Sequence, residues 1–158
     1  MNSEKIFFSI DPFQVSYRGK TLPSRHDGTP IAITDYSPEE NVYWILRCVP
    51  RITSGEVCDF FFNEDPHSLI FIPWGGEVTI IFRTSLTEDL VNGQHLTIPT
   101  TELLSALLMS TQAFIDEIQN GNETSDGRDV GELIQYQDLA KKLIQSHGYL
   151  SDTGQTDD

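Results

Sequence analysis

The hydrophobic period of the chain changes once, near residue 98, and that change decides the fold class. On the N-terminal side the apolar runs are short, rich in β-branched and aromatic residues, and cut by Gly, Pro, Asp and Asn. Such runs read as strands, expected at 13–18, 30–36, 57–62, 68–73 and 77–84. The strongest local signal is SLIFIPWGGEVTIIFRT, residues 68–84. Two β-rich runs there flank Pro73, Trp74, Gly75 and Gly76, and a Gly pair tolerates the positive φ of a tight hairpin turn.

On the C-terminal side the period is helical. Leu103, Leu104, Leu107, Leu108, Phe114, Ile115 and Ile118 recur at helical spacing after a start at Pro99, and Gly121 supplies a stop. A polar linker over 120–128 follows. A second helix is expected from Asp129, with Glu132 as its capping-box partner, a stripe of Leu133, Ile134, Ala140, Leu143 and Ile144, and an end at His147 and Gly148. Strands first and helices second predict an α+β fold, with a mainly antiparallel sheet from the N-terminal two-thirds and two C-terminal helices packed on it. A length of 158 residues suits one domain over 1–150, with 151–158 (SDTGQTDD) as a frayed acidic tail.

One segment is ambiguous. Ser37, Pro38 and Glu40 look like a helix start, and Val42, Tyr43, Ile45, Leu46 and Val49 keep helical spacing. The same residues are good strand formers. A short helical turn at 38–41 running into a strand is the preferred reading, with a helix through 41–49 as the alternative.

Chemistry-bearing residues give little that points to catalysis. His26, His67, His95 and His147 share no metal-ligand spacing, and no phosphate-binding glycine loop occurs. The pairs Glu64–Asp65, Glu88–Asp89 and Asp116–Glu117 are sequence neighbours, which diverge on a helix or strand and make poor catalytic dyads. Cys48 and Cys58 read as reduced, partly buried thiols, with a disulfide between them as the alternative. No metal, no cofactor and no enzyme activity are expected. The N-terminus lacks the apolar core of a signal peptide, and no apolar run approaches the ~20 residues of a membrane span. A cytoplasmic location follows as the expectation.

Charge is the feature that calls for a reason: a solubilising surface, a protein partner with a basic surface, or a bound cation. Asp and Glu number 24 against 10 Lys and Arg, a formal net charge of −14. A small domain needs only about 2–8 charges for solubility, and the excess costs self-repulsion. The balance excludes nucleic acid, which demands a basic stripe, and an anionic membrane surface. Residues 1–98 hold 7 basic and 13 acidic groups, whereas 99–158 hold 3 and 11. Asp116, Glu117, Glu123, Asp126, Asp129 and Glu132 are expected to form one negative corner where the helices meet, and Asp59, Glu64 and Asp65 a second one beside the sheet. Trp74, at a hairpin tip, is the candidate apolar anchor. The run Phe60–Phe61–Phe62 forces one ring onto the second face of its strand, with Phe61 expected to be packed under a helix or loop.

Small size, a charge of −14, missing catalytic spacings and an aromatic-rich sheet half resemble the bacterial immunity proteins of polymorphic and contact-dependent toxin systems. That resemblance implies a cytosolic, single-domain binding module that neutralises a cognate toxin domain, often a basic nuclease. Two other readings share part of the chemistry. One is a phage or mobile-element antagonist that mimics the charge of nucleic acid. The other is a ligand-binding domain or enzyme with a pocket around His67, Glu64 and Arg83.

Overall fold

The computed structural model describes residues 6–10, 12–33, 38–62, 66–120 and 130–148. Among these residues two antiparallel sheets and three helices make up the α+β fold expected from the period change. The small sheet has the order β1-β2-β3, formed by β1 (Phe7–Ile10), β2 (Phe13–Tyr17) and β3 (Lys20–Leu22). The large sheet has the order β4-β5-β6-β7, formed by β4 (Cys58–Phe61), β5 (His67–Trp74), β6 (Glu77–Thr84) and β7 (Gln94–Pro99). Every neighbour in both sheets is antiparallel and follows the previous strand in sequence.

The hairpin read from the glycine pair is present. Trp74 pairs with Glu77, and Gly75 and Gly76 take φ of 62° and 83° between them. Two consecutive positive φ values match the twist of the flanking strands, a conformation that side chains disfavour. Four of the five expected strands are found within a residue or two of their places. The fifth, 30–36, is not a strand as far as it is described: Pro30 and Ile33 make isolated bridges to Ser24 and Phe13. β1, β3 and β7 are strands beyond the five expected.

The ambiguous segment is a helix, α1 (Pro38–Thr53), and not a turn running into a strand. Val42, Ile45, Leu46, Val49 and Ile52 are all essentially sealed from solvent, a stripe that only helical periodicity produces. The β propensity of these residues gives way because burial of that stripe outweighs a backbone preference of ~1 kcal/mol. α2 (Thr100–Gln119) and α3 (Val130–Ser146) follow.

α1 lies against β4, β5 and β1; α2 lies against β1, β6 and β7; α3 packs against α1 and α2. Ser110 on α2 fastens the small sheet by donating its hydroxyl to the Phe8 carbonyl at 2.5 Å. A buried polar link joins α2 to α3. The Thr111 hydroxyl donates to Gln137 Oε1, and Gln137 Nε2 donates to the Leu108 carbonyl at 3.1 Å.

Cys48 on α1 and Cys58 at the start of β4 form a disulfide, both residues being buried. The expected reduced thiols are therefore corrected. Sequence spacing alone leaves the pair open, because the helical course of α1 is what turns Cys48 toward β4.

Candidate functional site: the open face of the large sheet

Alternation along a strand sorts the large sheet into two faces. Cys58, Phe60, Leu69, Phe71, Val78, Ile80, Phe82, Leu96 and Ile98 share the face under the helices and are buried. The other face carries Asp59 and Phe61 on β4, Ile70, Ile72 and Trp74 on β5, Glu77, Thr79, Ile81 and Arg83 on β6, and His95 and Thr97 on β7. Ser68 of β5, also on this face, is buried; the residues just named are exposed or half-buried.

Register places them in rows. Phe61, Ser68 and Arg83 are side by side; Asp59, Ile70, Ile81 and His95 form the next row; Ile72, Thr79 and Thr97 follow; Trp74 and Glu77 close the hairpin end. The apolar members run diagonally from Phe61, 68% exposed, through half-buried Ile70, Ile81 and Ile72 to Trp74, 85% exposed. Six residues of β5 separate the Phe61 row from Trp74, which is about 20 Å at ~3.3 Å per residue. Charged groups border the diagonal, with Asp59 and Glu77 against a single Arg83. The Thr79 and Thr97 hydroxyls are hydrogen-bonded to each other at 2.9 Å across β6 and β7.

The Phe triplet explains one end of the diagonal. Phe60 and Phe62 turn inward and meet at 5.5 Å between ring centroids, and Phe62 meets Phe13 at 5.1 Å. Phe61 is forced outward and is exposed, in contrast to its expected packing under a helix or loop. Ile70, Ile72 and Ile81 join this face beyond the residues expected from sequence. Their signal lay in the sequence: β5 and β6 are apolar at both parities, the pattern of strands whose two faces both meet apolar surroundings.

The candidates named from sequence fare unequally. Asp59 and Trp74 lie on this one face. Asp116 and Glu117 border two adjoining grooves that share Met109 and Ala113, and Glu132 lines neither of them. Asp116 borders a groove of about 400 Å³ between α2 and α3, and Glu117 borders one of about 360 Å³ between α2 and β1. Glu132 lies within electrostatic reach of Tyr136 on α3, whose ring meets that of Tyr43 on α1. Glu64, Asp65, Glu123, Asp126 and Asp129 lie outside the described residues.

A second aromatic cluster lies between α1 and α3, and it is satisfied internally. Arg47 donates to the Tyr43 hydroxyl at 2.8 Å and stacks over the Tyr43 and Trp44 rings at 5.4 and 5.6 Å. The hydrogen bond to Tyr43 pushes the Arg47 guanidinium further above its ordinary value. Hydrogen bonding with the Tyr43 hydroxyl likewise raises the Tyr136 phenol.

The imagined pocket around His67, Glu64 and Arg83 does not bring His67 and Arg83 together. His67 pairs with Thr84 and faces the interior, where its Nδ1 is 2.9 Å from the Thr84 hydroxyl and its ring packs against Phe62 and Phe82. Arg83, one residue along, points to the opposite side. Among the described residues no cluster of His, Cys, Asp and Glu is placed to hold a metal ion, and no helix is long and apolar enough to cross a membrane. Comparison with family models, curated proteins and solved structures finds no match.

Proposed function

We propose that the chain is an acidic protein-binding module that docks a basic protein partner on the open face of the large sheet, in the manner of an immunity protein that neutralises a toxin domain. The observation that supports this most is the apolar diagonal from Phe61 to Trp74 on a chain of net charge −14. Single exposed apolar residues need no explanation, but a contiguous apolar band rimmed by polar groups marks an interaction surface. Trp is the residue most enriched among interface anchors. The division of labour is physical. The acidic field draws in a basic surface, such as the phosphate-binding cleft of a nuclease, and sets the association rate. The diagonal excludes water once the partner lands and sets the dissociation rate.

Copurification of the tagged chain from its native host, at low and at moderate salt, tests this reading. A stoichiometric basic partner that is lost as salt rises is the expected result. Recovery of the chain alone, or of a partner indifferent to salt, overturns it. A toxin domain among the captured partners selects the immunity role, and a defence nuclease selects the mimic of nucleic-acid charge.

The thiols test the compartment. A cytoplasmic immunity protein belongs in a reducing environment, whereas disulfides persist in oxidising ones. Alkylation of free thiols at the moment of cell lysis separates the two. A bonded Cys48–Cys58 pair in the native host places the chain outside the reducing cytoplasm, and two alkylated cysteines place it inside.

A further inference from the structure

The large sheet ends on β4, and among the described residues no strand pairs with its outer edge. Which backbone groups face that edge follows from one hydrogen bond. The Phe62 N–H donates to the His67 carbonyl at 3.0 Å, in the same register that pairs Phe60 with Leu69 and Cys58 with Phe71. In an antiparallel ladder alternate residues turn their N–H and C=O toward the partner strand. Cys58 and Phe60 therefore bond to β5, and Asp59 and Phe61 aim their N–H and C=O outward. The hairpin agrees independently: Trp74 and Glu77 close it as a bonded pair, so Ile70 and Ile72 bond to β6 and leave Leu69 and Phe71 for β4.

Two donors and two acceptors thus stand along an open edge whose side chains, Asp59 and Phe61, lie on the face described above. Edge strands are usually blunted by charge, proline or a bulge. β4 has one acid, no proline and an unbroken register, and Phe61 stands open beside it. Its first residue is pinned to α1 by the disulfide, so the edge is held in place before anything pairs with it.

We infer that the outer edge of β4 is a strand-addition site, on which a short extended basic segment of the protein partner pairs with the backbone of Asp59 and Phe61 and extends the large sheet to five strands. This deepens the docking reading and rests on it. Charge chooses the occupant. Asp59 is exposed and without an ion-pair partner among the described residues, and Glu56 in the turn before β4 is 3.7 Å from Arg51. A second copy would bring another −14 to the same edge, whereas Lys or Arg flanking an extended segment would meet Asp59 from the solvent side. Main-chain bonds give such a segment its affinity, and alternate side chains give it specificity.

Amide exchange followed by NMR on the full chain tests the site, with a capped peptide of alternating Lys and Val as the probe. The Asp59 and Phe61 amides are expected to exchange fast in the free protein and to slow by roughly tenfold with the peptide, as amides gaining an acceptor do. The Phe60 amide is expected to stay slow throughout. A peptide of alternating Glu and Val, or the basic peptide methylated at its pairing amides, is expected to leave exchange unchanged. Asp59→Pro removes an outward N–H without touching the β5 ladder and is expected to abolish the protection, while Asp59→Asn retains part of it.

Three results overturn the inference. Movement of the Trp74 indole and the Ile70 and Ile72 signals without protection at Asp59 and Phe61 means that the face binds without strand addition, and it leaves the docking reading intact. Protection that grows with protein concentration and no peptide means that a second copy takes the edge. Absence of any change at the edge or the face removes strand addition by a basic segment, while the salt-dependent copurification judges the docking reading separately.

Discussion

Phe71→Ala is expected to cost about 3–5 kcal/mol of folding free energy, the range for truncating a buried Phe. Phe71 is fully sealed from solvent at the middle of β5, paired with Cys58 and Ile80 and 6.5 Å from the Phe60 ring. Against a total stability of about 5–15 kcal/mol for an ordinary domain the loss is large. At roughly 2–4 °C per kcal/mol for a chain of this size, the midpoint falls by about 6–20 °C. Phe61→Ala is the matched control. It removes the same ring from the opposite face of the adjacent strand, where the side chain is 68% exposed, and is expected to stay within about 0.5 kcal/mol of the parent. Thermal unfolding of the two variants side by side checks which face the helices cover. Equal losses would contradict the assignment of faces on which the candidate site depends.

Loss of the Cys48–Cys58 bond is the second large effect. The bond closes a loop of 10 residues, and restriction of the unfolded chain by a loop of that size is worth about 2–3 kcal/mol. The midpoint of Cys48→Ala/Cys58→Ala is therefore expected about 5–10 °C below that of the oxidised parent. The reduced parent is expected near the double variant, since both lack the same constraint. A parent whose midpoint is unmoved by full reduction, with two free thiols counted afterward, contradicts a stabilising role for the bond.

The parts of this architecture legible in the sequence are those set by local pattern. The glycine pair specifies the hairpin because two consecutive positive φ values are needed there. The leucine stripe of α2 specifies a helix because 103, 104, 107, 108, 115 and 118 share one face. α1 was harder, since Val42, Tyr43, Trp44 and Ile45 favour strands locally and only burial against the sheet and α3 decides for the helix. β7 shows alternation, Leu96 and Ile98 inward with His95 and Thr97 outward, but it runs without a loop into α2 at Thr100, so its pattern merges with the helical one. The site depends on a non-local fact. The β5 and β6 sequences show that both faces are apolar, yet which face the helices take is settled by packing. Asp116 and Glu117 border two adjoining grooves that share Met109 and Ala113 of α2, while Glu123, Asp126 and Asp129 of the expected acidic corner lie outside the described residues.

The most direct measurement of the central claim is the dissociation constant of Trp74→Ala for the basic partner isolated by copurification. Trp74 is 85% exposed, so its truncation leaves the thermal midpoint unchanged and any effect on binding belongs to the interface. If the open face is the docking surface, affinity falls about 30-fold, the equivalent of about 2 kcal/mol for an anchoring Trp. The loss lies chiefly in faster dissociation, and the salt dependence of association is preserved. An unchanged dissociation constant would contradict the claim and move the partner to another surface.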